Sequence, residues 1–501
     1  MPDEEISVEN AFQHHQAGRL EEANTIYRKI IAATPDHPVA LHYLGLLMYQ
    51  VGEDDQSVEL LKKAVATKPD YLQAHCNLAN TLVELNRGVE AEASCRAALK
   101  LDPEKLNAHN ALAKALHQQG RHLDAIVSCQ KVLDTNPNQA DTHATYANAL
   151  HGLGRFNEAL EHFNQAIYFN PQDPEYHNAM GDTYRELSRY SKAARSFQKA
   201  IGLDAEEALY HNNLGSALFL QKSYEPAIAS YQKAVDLEPR YIMAQQNLAN
   251  ALRTIGRTDE AIQCLENILK DHPDLASTRH NLAALRGETT DTAPKEYVAE
   301  LFDEFANQFE EHLQNKLHYK IPSLLKTVME NRDLCTTPYD LVVDLGCGTG
   351  LAGVEFKDVA KTLIGIDLSQ KMIQQAEAKN VYDKLDVNDL VSGLENIEAK
   401  VNLFIATDVF IYVGNLRDTF AAVQKSAAPD AFFVFSTEHL ASDNDNAPFI
   451  LQDTSRYAHS KAYIEELGRE FGFTIDHFET TDLRKEKDGW IPGGVYILKS
   501  D

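Results

Sequence analysis

A proline recurs every 34 residues through the first part of the chain, and this spacing constrains the fold more than any other feature. The proline series is broken only at position 205, which is an alanine. Small residues and glycines recur at the same interval on two further grids. The three sets are Pro35, Pro69, Pro103, Pro137, Pro171, Pro239 and Pro273; Ala23, Ala91, Ala125, Ala159, Ala193, Ala227 and Ala261, with Ser57 in the vacant place; and Gly18, Gly52, Gly120, Gly154 and Gly256. A fixed period of this length predicts stacked copies of one structural unit.

The pattern resembles the tetratricopeptide repeat. In each copy a helix ends near the glycine, a second helix follows, and the proline stops it. The recurrent alanines let the paired helices approach closely, and a single pair cannot bury its apolar face, so the copies must stack. We expect eight repeats over residues 4–275 and one closing helix, Ala276–Arg286.

Two rows of asparagine follow the same period on the first helix of the repeats. They are Asn77, Asn213, Asn247 and Asn281, and, three residues later, Asn80, Asn148 and Asn250. The rows are similar to the array of the O-GlcNAc transferases, in which amides on the concave surface hold the backbone of an extended peptide. An amide offers one donor and one acceptor and so matches a peptide unit. The alternative is that these are ordinary solvated polar residues, and positions 43, 111, 145 and 179 interrupt the first row.

The stretch Leu341–Gly350 organises the second part of the chain. An apolar run rich in β-branched residues predicts a buried parallel strand, and the glycines after it predict a tight turn into a helix. This arrangement resembles motif I of the class I S-adenosylmethionine-dependent methyltransferases, in which the turn accommodates the methionine part of the cofactor and the acid lies beside its amino end. The resemblance implies that the cofactor is bound by Asp344, Gly346, Cys347, Gly348 and Gly350.

Two other interpretations of the turn compete with this one. Gly348, Gly350 and Gly353 also satisfy G-x-G-x-x-G, the dinucleotide fingerprint, and the turn could be purely structural. The acid before the turn and its closely spaced glycines favour the methyl donor.

Further motifs of this family follow in order. Asp367 ends the next predicted strand, where a carboxylate can accept hydrogen bonds from both ribose hydroxyls. Leu368 and Met372 begin the helix that the family places beside the cofactor. The resemblance implies that one later acid reaches the adenine amino group, and we favour Asp389 over Asp386.

The segment at residues 297–322 carries an apolar stripe that includes Leu301, Phe302 and Phe309. Such a stripe is typical of a core helix. The segment also resembles the lead-in of small-molecule-type class I methyltransferases, which packs over the cofactor as a lid, and this implies a cofactor contact from Tyr319.

Methyl transfer is an in-line displacement on a donor that is already activated, so the enzyme mainly positions the reactants and sometimes supplies a base. Ligands of open α/β sheets bind beyond the carboxyl ends of the strands, where the fourth predicted strand ends at Asp408. The base candidates near this crevice are Asp408, Tyr412, His439, Tyr457 and His459. We take Asp408, Tyr457 and His459 as the catalytic candidates, the last two because their segment resembles the family's substrate-side loop. A carboxylate acceptor would need no base.

Composition excludes several classes of protein. The 501 residues carry a net charge of −27, which argues against nucleic-acid binding. The six cysteines form no C-x-x-C pair, which predicts a reducing cytosol and argues against structural zinc. We find no apolar run long enough for a membrane span and no signal peptide at the acidic N-terminus.

The sequence therefore predicts two domains: an all-α tetratricopeptide solenoid at residues 1–287, a linker at 288–296, and an α/β doubly wound, Rossmann-like class I methyltransferase domain at 297–501. The expected function is that of a cytoplasmic S-adenosylmethionine-dependent methyltransferase whose arm recruits a protein or peptide through its concave face. The alternatives are a scaffold that binds the cofactor without turnover, and a small-molecule methyltransferase whose arm serves assembly. We expect no metal, nucleic-acid or membrane partner.

Overall fold

The computed structural model describes residues 6–306, 309–311, 313, 317–440, 447–486 and 489–501. The chain divides into two compact units, Met1–Asn247 and Leu248–Asp501. The helices of the last predicted repeat therefore belong largely to the unit that contains the sheet. The domain boundaries predicted at residues 287 and 296 stay predictions.

The repeat region is built of eight consecutive helix pairs followed by a single helix, as the sequence predicts. The helices are α1 Val8–Gln16, α2 Leu20–Ala33, α3 Pro38–Gln50, α4 Asp54–Thr67, α5 Leu72–Glu84, α6 Gly88–Leu101, α7 Leu106–Gln118, α8 His122–Thr135, α9 Ala140–Gly152, α10 Phe156–Phe169, α11 Pro174–Glu186, α12 Tyr190–Leu203, α13 Ala208–Leu220, α14 Tyr224–Leu237, α15 Ile242–Thr254, α16 Thr258–Asp271 and α17 Ala276–Arg286. The alanines of the periodic grid are fully buried, because they lie where neighbouring helices approach most closely.

The turn between the two helices of a repeat needs a left-handed residue, which explains the periodic glycine. Gly18 and Gly120 both have φ of 73°. The grid has no glycine at Asn86, Ser188 and Lys222, and these residues adopt the same conformation with φ of 54°, 54° and 63°. The turn geometry is therefore kept through the repeats even where the sequence signal is lost.

A periodic histidine that the sequence analysis did not single out closes the other connection. The Nε2 atom of His109 lies 2.9 Å from the carbonyl oxygen of Pro103, and that of His143 lies 2.9 Å from the carbonyl oxygen of Pro137. His75 makes the same contact with Pro69. Each bond satisfies a carbonyl of the connection between one repeat and the next. Each of these histidines follows its proline by six residues, so the pattern could have been found in the sequence.

Three amides of the first asparagine row bond within the array. Asn213 Nδ2 donates to Asn178 Oδ1 at 2.9 Å, and Asn247 Nδ2 donates to Asn212 Oδ1 at 2.9 Å. Asn77 Nδ2 lies 2.7 Å from a ring nitrogen of His42. These amides connect successive repeats, so part of their hydrogen-bonding capacity is already used, and the predicted peptide ladder stays a prediction.

The second unit holds one sheet of nine strands. The strands are β1 Tyr339–Leu345, β2 Ala360–Asp367, β3 Lys384–Val387, β4 Val401–Ala406, β5 Ala427–His439, β6 Phe449–Leu451, β7 Tyr457–His459, β8 Phe473–Glu486 and β9 Gly489–Ser500. The order β3-β2-β1-β4-β5 is parallel, β9 joins β5 antiparallel, and β8 joins β9. β7 also pairs with the end of β5, and β6 pairs with β7.

Helices cover both faces of this sheet, as expected for a doubly wound fold. The described helices after α17 are α18 Lys295–Phe305, α19 Phe309–Glu311, α20 Ile321–Glu330, α21 Leu351–Phe356, α22 Gln370–Ala378, α23 Leu390–Glu395, α24 Arg417–Ser426 and α25 Lys461–Glu470. Successive residues of β1 enter different apolar clusters: Val343 packs with Phe404, and Val342 packs with Leu363. The predicted fold class is confirmed.

Three segments differ from the sequence predictions or add to them. The short strand β6, Phe449–Leu451, is not among the elements that the sequence analysis predicts. Residues 490–494 belong to β9, where Trp490 pairs with Lys485. In the segment predicted as a linker, the amide of Ala293 donates to the carbonyl of Tyr412 at 3.1 Å, which fixes that segment against the sheet domain. None of the described helices has the length and apolar character needed to cross a membrane.

Candidate functional site

The turn after β1 can be made only by glycine at its first position. Gly346 has φ of 67°, and a Cβ atom there would lie 2.5 Å from the side chain of Val409. Gly348 and Gly350 are also left-handed, with φ of 53° and 90°. The three glycines place no side chain of their own at this end of the parallel sheet, which is the local geometry that the sequence predicts.

Asp367 at the end of β2 holds this turn in place. Its Oδ2 accepts a hydrogen bond from the amide of Gly348 at 2.8 Å, and its Oδ1 accepts one from the amide of Ser369 at 2.9 Å. Burial raises the pKa of the Asp367 carboxyl, while the two amide bonds oppose that rise. Two amides do not exhaust the four lone-pair sites of a carboxylate, so Asp367 keeps acceptor capacity toward the cavity that it lines.

Asp344 lies behind the turn rather than at the cavity surface. It is fully buried, and its Oδ2 accepts a hydrogen bond from the hydroxyl of Tyr382 at 2.6 Å. Burial raises the pKa of Asp344 to about 7. Tyr382 also packs so closely on Gly353 that a Cβ there would lie 2.3 Å from its ring, which explains the glycine of the alternative dinucleotide pattern by packing alone. The structure thus places Asp344 behind the turn, and its predicted contact with the cofactor stays a prediction.

Asp389, which follows β3, lines the cavity. Its Oδ1 caps α23 by accepting from the amides of Val391 and Ser392, both at 3.1 Å, and its Oδ2 lies 2.8 Å from the Lys295 ammonium. Burial alone would raise its pKa, but the bonds from Lys295 and Ser392 hold the pKa at about 2. Asp386, the alternative, lies on β3 and does not line the cavity.

These residues border a cavity of about 540 Å³. We call one set of its lining residues the glycine wall: Gly346, Cys347, Gly348, Asp367, Leu368 and Asp389. Leu301, Phe302, Phe309 and Leu313 also line it. The segment before β1 thus contributes an apolar cover, as the lid interpretation predicts. Gly350 and Met372, which were predicted to bind the cofactor, do not line the cavity, and the side chain of Met372, a residue of α22, is fully buried.

A second set of lining residues carries charge, and we call it the arginine wall: Tyr319, Asp408, Tyr412, Arg456 and Arg484. Arg484 Nη1 donates to Asp408 Oδ2 at 2.6 Å. The same guanidinium pairs with Glu438 and with Glu486 Oε1, the latter at 3.0 Å from Nε. Only 2% of the Arg484 side chain is exposed, so these ion pairs are shielded from water.

Arg456 extends the network of the arginine wall. Its Nη1 pairs with Glu486, and a hydrogen bond from Arg456 to Tyr412 opposes the rise in the tyrosine pKa that burial causes. Asp408 Oδ1 is buried without a hydrogen-bond partner among the described residues. The wall therefore offers one unpaired carboxylate oxygen next to two guanidinium groups.

Tyr457 and His459 do not reach the cavity, which corrects their predicted place beside an acceptor. Both lie on β7, whose pairing with β5 and β6 buries their side chains completely. The Tyr457 hydroxyl lies 2.6 Å from that of Thr290. His459 Nε2 lies 2.9 Å and 3.0 Å from the carbonyl oxygens of Val413 and Gly414, so it must be the protonated nitrogen. Burial lowers the pKa of His459 to about 4, which keeps the ring neutral.

Sequence reasoning missed Arg456 and Arg484. Arg484 lies in the run Arg484-Lys485-Glu486-Lys487-Asp488, which is typical of a solvated surface. Only the pairing of β8 with β9 carries its side chain to the carboxyl end of β4. Among the described residues, no group of three or more His, Cys, Asp or Glu side chains is placed to hold a metal ion.

Sequence models of known families match both parts of the chain. Two tetratricopeptide-repeat models match, one at residues 116–182 and 218–285 and the other at residues 76–140 and 178–242. A methyltransferase-domain model matches residues 295–477. A search of curated proteins found no match.

Three solved structures that resemble this chain each cover half of it or less. A tetratricopeptide repeat protein from Parabacteroides merdae is 18% identical, with 49% of this chain and 97% of that chain covered and a TM-score of 0.43. MamA is 23% identical, with 32% and 95% covered and a TM-score of 0.31. The pilF protein of Pseudomonas aeruginosa is 18% identical, with 40% and 92% covered and a TM-score of 0.36.

The matched ranges place the repeat family on the helix pairs and the methyltransferase family on the sheet that carries the cavity. The chain therefore joins an array of tetratricopeptide repeats to a methyltransferase domain.

Proposed function

We propose that the cavity binds S-adenosylmethionine and that the protein transfers its methyl group. The observation that carries the proposal is the glycine wall, where the glycine turn, the Asp367 carboxylate and the Asp389 carboxylate border one cavity at the carboxyl ends of β1, β2 and β3. Ligands of open α/β sheets bind at this edge.

The residues present fit this cofactor. A cavity of about 540 Å³ with an apolar cover and a few polar groups is of the size that small ligands occupy. Asp367 can accept hydrogen bonds from ribose hydroxyls, and Asp389 can accept one from an adenine amino group. The two carboxylates also favour the positive charge of the sulfonium and amino groups.

When bound, the cofactor supplies a methyl group on a sulfonium centre that needs no further activation. The chain then has to hold the acceptor in line and keep water out. Phe302, Phe309 and Leu313 exclude water from one side of the cavity. Asp408 Oδ1, unpaired among the described residues, can accept the proton of a hydroxyl or amine acceptor, while Arg484 keeps the other oxygen in place.

Calorimetry with S-adenosylmethionine, its demethylated product and NAD tests the cofactor assignment. We expect binding of the first two and none of NAD, and NAD binding alone would reverse the assignment. Asp367→Ala should weaken cofactor binding by about 1.5–3 kcal/mol, because it removes hydrogen bonds to a charged acceptor. Asp386→Ala is the matched control, since Asp386 is an acid on the adjacent strand that does not line the cavity, and its affinity should equal that of the wild type.

We further propose that the repeat arm binds a polypeptide, either the methyl acceptor or a partner that delivers it, and that the protein acts in the cytoplasm. Tetratricopeptide arrays present an extended concave surface, which supports such a role. Mass spectrometry of a cell extract, after incubation with the enzyme and methyl-labelled cofactor, would distinguish a protein acceptor from a small molecule. Label found only in small molecules would contradict the case in which the polypeptide bound by the arm is itself the methyl acceptor.

A further inference from the structure

The end of the repeat region holds a turn of the methyltransferase domain. The hairpin of β6 and β7 turns through Gln452–Arg456, where the amide of Gln452 donates to the carbonyl of Arg456 at 2.8 Å and the amide of Ser455 donates to the carbonyl of Gln452 at 2.9 Å. The last residue of this turn, Arg456, belongs to the arginine wall. Whatever fixes the turn therefore also fixes one of the charged groups at the cavity.

Three side chains of α15 and α17 contact the turn. Asn281 Oδ1 accepts a hydrogen bond from the Ser455 hydroxyl at 2.8 Å. His280 Nε2 lies 3.2 Å from the carbonyl oxygen of Ser455, to which it can donate, and Arg253 Nη1 donates to the carbonyl oxygen of Asp453 at 2.9 Å. Two of these bonds go to main-chain carbonyls, so the repeat helices bind this segment much as they would bind a peptide.

The turn needs such support because of its backbone. Ser455 has φ of 62°, a left-handed conformation that is unfavourable for a residue other than glycine. It is also buried, with only 2% of its surface exposed. A strained residue persists where its surroundings over-determine it, and here the bonds from His280 and Asn281 do so.

The strands on either side of the turn are held by the segment that follows α17. Thr289 Oγ1 accepts a hydrogen bond from the amide of Leu451 in β6 at 3.2 Å. The hydroxyl of Thr290 lies 2.6 Å from that of Tyr457 in β7. The whole hairpin is thus fixed against residues 280–290.

We propose that Asn281, with His280 and Arg253, is a positioning residue that orients Arg456 at the acceptor side of the cavity by holding the 452–456 turn. The proposal deepens the proposed function, because it concerns the cavity in which methyl transfer would occur. The proposal also gives the asparagine position of the repeat a second role. Asn247 bonds to Asn212 of the preceding repeat, whereas Asn281, at the same repeat position, bonds to Ser455 in the turn between β6 and β7. The arm would then act on the cavity directly as well as on a partner.

The test measures the chemical reactivity of Arg456 toward phenylglyoxal, read by mass spectrometry on the full-length protein. Asn281→Leu keeps the side-chain volume but removes the acceptor, and it should raise the modification rate of Arg456 about fivefold to tenfold, as the loss of one hydrogen bond allows. Asn281→Asp restores an acceptor oxygen and should return the rate to that of the wild type. Arg484, with a side chain only 2% exposed, is the internal reference and should stay unreactive in every variant.

Two further variants keep the test decisive. Ser455→Ala removes the donor of the same bond, so it should reproduce the Asn281→Leu rate, and the double variant should add nothing to it. Asn212→Leu removes a buried amide from a bond between repeats, and it should leave the reactivity of Arg456 unchanged. Wild-type reactivity in both Asn281→Leu and Ser455→Ala would overturn the proposal, as would a failure of Asn281→Asp to restore it.

Calorimetry with S-adenosylhomocysteine on the same proteins separates this proposal from the proposed function. All variants should bind it as the wild type does, because the 452–456 turn does not contribute to the glycine wall. If the wild type does not bind it, the proposed function fails while the reactivity result still decides the role of Asn281.

Discussion

The glycine wall and the arginine wall of the cavity arise from the chain in different ways. The glycine wall comes from short stretches that follow consecutive parallel strands, so each of its side chains lies within a few residues of a strand end. The arginine wall draws Asp408, Arg456 and Arg484 from three segments, and an ion-pair network joins them. A local motif is readable in the sequence, while a network formed by long-range pairing is not.

The largest expected effect is at the centre of that network. Arg484→Met should reduce the free energy of unfolding by about 3–5 kcal/mol, because it leaves buried carboxylates without their cation. Urea unfolding measures the difference. Arg484→Lys keeps the positive charge but lacks the planar guanidinium that bonds several carboxylates at once, so it should lower the free energy of unfolding by less than Arg484→Met does. A stability of Arg484→Met equal to that of the wild type would show that the network does not hold the arginine wall together.

The same contrast explains what the sequence could predict. The sequence predicts the place of the glycine turn, Asp367 and Asp389 at the cavity, because the strand-turn-helix pattern fixes where a side chain after a parallel strand must lie. Their contact with the cofactor stays a prediction. Tyr457 and His459 were misplaced because they lie on a three-residue strand, and no periodicity marks so short an element. Arg484 was missed because its run of charges resembles a surface, and only the pairing of β8 with β9 buries it.

The burial of His459 predicts how the free energy of unfolding changes with pH. Its folded pKa of about 4 is lower than the unfolded value of 6.5, so the unfolded chain binds more protons between these values. Stability from this group is therefore fully present above pH 6.5 and is lost as the pH falls toward 4. We expect a loss of about 2 kcal/mol between pH 7 and pH 5 for the wild type relative to His459→Gln, which does not titrate.

Urea unfolding of both proteins at the two pH values measures that difference. Parallel pH profiles would show that burial does not hold the His459 ring neutral in the folded protein.

The smallest effect is expected at the ion pair of the glycine wall. The Lys295 side chain is 63% exposed where it meets Asp389, so Lys295→Met should change the free energy of unfolding by less than about 1 kcal/mol. Urea unfolding beside Arg484→Met compares an exposed pair with a buried one in the same cavity. If Lys295→Met lowers the free energy of unfolding as much as Arg484→Met does, the distinction between the exposed ion pair of the glycine wall and the buried network of the arginine wall is contradicted.

The central claim is that the glycine wall binds the cofactor and the arginine wall faces the acceptor. A crystal structure of the protein with S-adenosylhomocysteine tests it most directly. The account predicts that the ligand contacts the Gly346–Gly348 turn, Asp367 and Asp389, and that it leaves Arg456 without a contact to its adenosine part. A ligand bound through Arg456 and Arg484, with Asp367 and Asp389 untouched, would contradict the account.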